Sequence, residues 1–148
     1  MNNSFTLFLK KILFSGILFL QFQLLYSQQT KTEKSGNPVF HGLYADHEGI
    51  IFGKQYWIYP TYSAPYNKQV FLDAFSSPDL VHWTKHSSIL DTSRVKWAKR
   101  AMWAPSIVEK GGKYYLFFGA NDIQSDKENG GIGVAVANNP GGPFTDYL

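Results

Sequence analysis

The stretch GKQYWIYP, from Gly53 to Pro60, returns at a spacing of 59 as GKYYLFFG, from Gly112 to Gly119. In both copies a glycine turn opens a run of Tyr, Trp and Phe, residues that suit a pleated, half-buried surface. Ser77-Pro78 is followed in the same way by Asn139-Pro140, and Trp83-Thr84 by Phe144-Thr145 at a spacing of 61. No stretch shows the period of an amphipathic helix of ordinary length. A repeat of about 60 residues built of three or four short antiparallel strands is the pattern of a propeller blade. One blade cannot bury both faces of its sheet, so it needs neighbours. Two blades cannot close a ring, which takes about four to eight.

The expected fold class is therefore all-β: a β-propeller, of which the chain holds the first two blades as the N-terminal piece of a longer protein. Blade 1 spans about residues 44–90 and blade 2 about 101–148. The alternative is a complete small β-sandwich. Strands are expected at Gly49 to Phe52, Gln55 to Tyr59, 68–77, a short one centred on Val81 and Trp83, Ser106 to Glu109, Tyr114 to Phe118, and Ile132 to Ala137.

The segment 1–27 stands apart. Lys10 and Lys11 precede the run ILFSGILFLQFQLLYS, which ends in a small residue at Ser27. This is the form of a secretory signal peptide, and the run is too short and too interrupted to span a bilayer comfortably; a retained N-terminal membrane anchor is the alternative. Residues 28–36, QQTKTEKSG, read as a polar leader. The chain is then expected to be secreted or periplasmic, without stable membrane insertion after cleavage. Removing the signal takes away two lysines and no acid, leaving 12 basic against 11 acidic residues. That near balance offers nothing to nucleic acid. The chain has no Cys, which excludes disulfides, thiolate chemistry and Cys-ligated metals.

In a blade whose first strand is innermost, the loop leading into strand 1 and the loop between strands 2 and 3 open on one face. That gathers YADHEG (44–49), PTYSAPYNK (60–68), KWAKRAMWAP (96–105) and ANDIQSDKENGG (120–131). Asp46 is the first candidate, because a carboxylate at the ring axis can act as general base toward a water. A turn-capping Asp is the bland alternative. Glu48 points with Asp46 if the segment is extended and away from it if the segment turns. Trp103, just before Ala104-Pro105, can stack on a sugar ring or plug the gap between blades. Arg100 and Lys99 offer donors, and Tyr62, Tyr66, Asn121 and Asp122 are rim candidates. His41, His47, His82 and His86 lack a zinc-binding arrangement, and no metal or cofactor is expected. Asp122, Asp126 and Glu128 lack the calcium-loop spacing.

Three stretches taken in order, NPVFHGLYADHEGIIFGKQYWIYPT, FSSPDLVHWTKH and AMWAPSIVEKGGKYYLFFGA, resemble glycoside hydrolase family 43 over residues 37–148. The resemblance implies a five-bladed propeller that hydrolyses glycosidic bonds in arabinose- or xylose-containing poly- or oligosaccharides, such as arabinan, xylan or arabinoxylan, with inversion. It matches Asp46 to the general base and Trp103 to an aromatic near the sugar pocket. Apart from the resemblance, His47, Tyr62, Arg100 and Asn121 are expected as further substrate contacts from their place in the loops on that face. The family commonly has Pro where His47 stands. Its acid and its pKa-tuning carboxylate have no match here, and Asp122, Asp126 and Asp146 do not fill those roles. The chain alone is thus expected to be inactive. The alternatives are a non-catalytic carbohydrate-binding propeller and a sandwich-type surface protein.

Overall fold

The structure is a computed structural model that describes residues 34–121 and 128–147. The signal-like segment, Asp122 and Asp126 lie outside the described residues. Eight strands form two antiparallel sheets, each in simple sequence order. The first holds β1 (Tyr44–Phe52), β2 (Gln55–Tyr62), β3 (Phe71–Ser77) and β4 (Thr84–Asp91). The second holds β5 (Trp103–Lys110), β6 (Lys113–Ala120), β7 (Gly131–Ala137) and β8 (Thr145–Asp146). One 3-10 turn, Tyr66–Lys68, lies between β2 and β3.

Two-residue turns close the first hairpin of each sheet. Phe52 pairs with Gln55 around Gly53-Lys54, and Lys110 pairs with Lys113 around Gly111-Gly112. Gly53, Gly111 and Gly112 all take φ near +60 to +73°, which costs glycine nothing. The register thus matches Gly53-Lys54 to Gly111-Gly112 at a spacing of 58, one short of the spacing between the two Gly-Lys pairs. The shared Gly-Lys dipeptide hides this offset, because the second turn already begins at Gly111.

One expected strand is misplaced. Val81 and Trp83 lie in a turn, and the strand begins only at Thr84 and runs to Asp91. Asp79 organises that turn. Its Oδ1 accepts from the backbone N–H of Val81 and His82 at 2.9 and 2.8 Å, and the Ser77 hydroxyl accepts from the N–H of Leu80 at 2.8 Å. The His82 and Val81 bonds hold the Asp79 carboxyl far below the usual carboxylate range. Side-chain capping of this kind draws the backbone out of the ladder.

The core lies between the two sheets. Trp57, Tyr59, Leu72 and Leu90 from the first meet Ile107, Leu116, Phe118 and Phe144 from the second. Burying each aliphatic or Phe side chain contributes about 1.5–3 kcal/mol. Tyr59 is fully buried, and its hydroxyl donates to the Pro140 carbonyl at 2.8 Å. Burial, with smaller effects from Tyr114 and Glu48, pushes its pKa up, so it remains a donor. On the opposite face of the first sheet, Phe40 stacks on Phe75 at 3.8 Å. There the buried Asp73 is paired with Lys85 Nζ at 2.9 Å and accepts from Tyr44 at 2.8 Å and from Ser88 N–H at 2.8 Å. A buried carboxylate survives only with such partners.

Backbone hydrogen bonds also cross between the sheets. Ala101 N–H reaches Tyr66 O at 3.0 Å, Met102 N–H reaches Gln69 O at 2.8 Å, and Phe144 N–H reaches Ile89 O at 2.7 Å. The Trp103 indole lies over Gly119, where an added Cβ would come within 2.6 Å of its Cε2. Gly119→Ala should therefore cost about 1–3 kcal/mol by overpacking. Most of that cost should vanish in a Trp103→Ala background, as a double-mutant cycle by urea unfolding would read; an unchanged cost would place the clash elsewhere.

His86 provides a second test. Its ring sits 4.8 Å from that of Trp57 and hydrogen-bonds Ser76 Oγ at 2.8 Å through Nε2. Burial lowers its pKa from 6.5. A lowered folded-state pKa means that the unfolded chain takes the proton first, so His86 erodes stability as pH falls below about 6.5. Urea midpoints measured from pH 8 to 5 should fall less steeply in His86→Gln than in the parent. Parallel curves would refute this role.

Candidate active site

Both innermost strands carry a β-bulge at the same place. In β1 the register shifts between Ala45, opposite Thr61, and Glu48, opposite Tyr59, so Asp46 and His47 share Pro60 as partner. In β5 it shifts between Trp103, opposite Gly119, and Ser106, opposite Phe117, so Ala104 and Pro105 share Phe118. Proline lacks the N–H that a regular ladder needs, and bulges are where sheets tolerate it. The first bulge residue is left-handed in both: Asp46 at φ 46° and Ala104 at φ 45°. Asp accepts that conformation more readily than most residues.

The bulge also decides where side chains point. Strict alternation would put Asp46 and Glu48 on one line, but the extra residue separates their roles. Glu48 Oε2 accepts from Ile107 N–H of the second sheet at 2.6 Å. Asp46 instead lines an open cleft of about 310 Å³. Thr61 and Ser63 from the end of β2 join it there, as do Tyr66 and Gln69 from the loop that follows. Ala101 and Trp103 contribute from the segment leading into β5, and Asn121 from the end of β6. Asp46 is exposed, and among the described residues no hydrogen bond or ion pair engages its carboxylate. The cleft therefore combines one unengaged carboxylate, hydroxyl and amide groups, and an aromatic wall from Trp103, which is 37% exposed. That combination suits a polar ring with apolar faces, bound beside a base.

Of the residues singled out in sequence, Asp46, Trp103, Tyr66 and Asn121 meet in this cleft. Asn121 is nearly fully buried, and its amide is occupied. Its Oδ1 accepts from Lys99 N–H at 2.8 Å, and its Nδ2 donates to the carbonyls of Trp97 and Asn129 at 3.1 and 2.8 Å. Asn121 thus ties the loops together from the cleft floor. His47 does not line the cleft; it lines two cavities on the other face of the first sheet. Tyr62 packs on Phe71 and Tyr44, with ring centroids at 5.0 and 5.9 Å. Arg100 pairs with Glu128 at 3.0 Å. Neither Tyr62 nor Arg100 lines the cleft. Among the described residues no group of three or more His, Asp or Glu could hold a metal ion.

Sequence reading passed over Thr61, Ser63, Gln69 and Ala101. Thr61 had a signal: it follows Trp57 and Tyr59 at alternate positions on the buried face of β2. Ser63 and Ala101 lie in loops expected on this face, whereas Gln69 lies outside them and loop closure brings it in.

Comparison with known proteins bears on this geometry. The family described as Glycosyl hydrolases family 43 matches residues 35–148. The chain is 46% identical over 138 residues to a β-D-galactofuranosidase of Aspergillus niger, covering 85% of this chain and 39% of that protein. It is 33% identical to xylosidase/arabinosidase 43A of Humicola insolens, covering 73% and 36%. The solved structure of a family 43 β-xylosidase/α-arabinofuranosidase from a compost metagenome, in complex with xylotriose, aligns with a TM-score of 0.64 at 29% identity, covering 77% and 37%. The chain thus spans well under half the length of these relatives. Its two four-stranded sheets are two blades of their propeller fold, and the chain belongs to glycosyl hydrolases family 43.

Proposed function

We infer that the full-length protein hydrolyses O-glycosidic bonds in arabinose- or xylose-containing polysaccharides or oligosaccharides with inversion, and that Asp46 is its general base. The observation that carries this reading is the unengaged Asp46 carboxylate, held at a left-handed bulge in a cleft walled by Trp103. In this mechanism Asp46 takes a proton from a water while the water oxygen bonds to the anomeric carbon. The bond from that carbon to the leaving oxygen breaks on the opposite face, and a carboxylic acid protonates the departing oxygen. Among the described residues that line the cleft Asp46 is the one carboxylate, and neither that acid nor the carboxylate that tunes it is assigned to a residue here. Trp103 supplies a stacking wall, and Ser63 and Gln69 supply groups for sugar hydroxyls. The identity to a β-D-galactofuranosidase supports a second reading, in which the sugar is a galactofuranose.

Replacing Asp46 by Asn keeps size but removes the proton acceptor. In the full-length protein Asp46→Asn should lower turnover by about 10²- to 10⁴-fold, with KM changed far less because the loss falls on the transition state. The measurement is kcat on aryl α-L-arabinofuranoside, aryl β-D-xyloside and aryl β-D-galactofuranoside, normalised to folded protein. The best substrate of the three identifies the sugar, and a variant that keeps more than about a tenth of parental turnover rules out the role.

The N-terminal segment supports secretion. Lys10-Lys11 and the apolar run to Tyr26 should direct export, with cleavage near Ser27. N-terminal sequencing of exported protein should begin close to Gln28, whereas an intact Met1 on membrane-bound material would overturn this.

A further inference from the structure

We propose that Thr61 is a positioning residue for hydrolysis in this cleft, setting the span between the Asp46 carboxylate and the Trp103 indole; this rests on the proposed reaction. Thr61 pairs directly with Ala45, the residue before Asp46. Its Oγ1 accepts from the N–H of Ala104, the residue after Trp103, at 2.7 Å. The bond therefore joins the two bulges, one bearing the carboxylate and the other next to the aromatic wall. On its other side Trp103 is held by Met102 N–H on Gln69 O at 2.8 Å. Of these two clamps only the Thr61 bond runs through a side chain, so only it can be removed by substitution.

Thr61 is 2% exposed, yet it lines the cleft. Ala104 is held at φ 45°, a conformation that a residue with a Cβ keeps only when its surroundings impose it. Without the hydroxyl, Ala104 N–H loses its acceptor, and the bulge can relax toward ordinary strand geometry. The indole would then move relative to Asp46. A sugar stacked on Trp103 would still bind, but its anomeric carbon would no longer face the water that Asp46 holds. Position errors of about 1 Å can cost about 10²-fold in rate.

The test uses the full-length protein with Thr61→Val, which keeps shape without the hydroxyl, and Thr61→Ser, which keeps the hydroxyl. Two quantities are read: hydrogen exchange at the Ala104 amide, and kcat and KM on the best aryl glycoside. The valine variant should lose protection at Ala104 and lose about 10- to 100-fold in kcat, with a much smaller change in KM. The serine variant should recover both. Should the valine variant fail to fold, Thr61→Ala, in which water can reach Ala104, carries the same comparison. Parental kcat per folded molecule in the hydroxyl-free variant, or retained protection at Ala104, overturns the role of Thr61 alone. A parent inert on all three glycosides overturns the proposed reaction, and this inference with it.

Discussion

The β-bulge at Asp46-His47 is the constraint on which the site depends. A β-strand alternates its side chains strictly, so one extra residue sends everything after it to the other face. Here that shift leaves Asp46 in the cleft, turns His47 to the far side, and aims Glu48 at the second sheet. Pro60, opposite the bulge, has no N–H to demand a regular partner. The pairing of β2 with β3 covers only Tyr56 to Ile58, so Pro60 also lies beyond the ladder on that side. A proline inside the middle strand is thus accommodated at the one place where neither neighbour needs its donor. The cost is a non-glycine residue at positive φ, repeated at Ala104 and again at Ala101. Such strain persists only where surrounding contacts over-determine it, and hydrogen bonds between the sheets hold both alanines.

Those bonds follow one design. Tyr59, Thr61 and Glu48 each reach from the first sheet to a main-chain group of the second. A backbone partner is present whatever side chain the second sheet carries, so the seam tolerates change in its apolar residues. It does not tolerate change in the polar side chains that span it, because each would leave a buried group unpaired. The apolar residues beside them supply most of the free energy, and the polar ones fix the relative placement of the two sheets. The cleft lies along this seam and takes its shape from it.

Much of the fold was legible in the sequence, for identifiable reasons. The Gly53 and Gly111-Gly112 turns, followed by aromatic runs, marked β1, β2, β5 and β6, because few other structures accept that chemistry. The loops that gather around the cleft followed from a blade topology with its first strand innermost and chain direction alternating. Asp79 defeated the reading of Val81 and Trp83, since its carboxylate captures two backbone N–H groups that a strand would have used. Trp103 stood out as poorly placed for an ordinary sheet core, and Asp46 by its place in the loop entering the first blade, where a turn-capping role was also open. His47 was misplaced because a bulge turns neighbours apart, and nothing local marks where alternation breaks. Arg100 looks free in sequence, but its partner Glu128 lies beyond β6 and far outside the reach of any local rule.

The register between the two sheets separates what is general in this architecture from what belongs to the site. By pairing, Ile50, Trp57 and Tyr59 correspond to Val108, Tyr115 and Phe117. The first three face the second sheet, while Val108 and Phe117 are exposed on its outer face, 46% and 41% accessible. The apolar part of the seam is therefore repeated from blade to blade, as stacking of like units requires. The polar part is not. Ser106 stands where Glu48 stands in the first sheet, and Gly119 stands where Thr61 does. Were Glu48 and Thr61 general devices for docking one blade on another, the second sheet would carry them too. They occur instead only beside Asp46, and the glycine that replaces Thr61 leaves the room that the Trp103 indole fills.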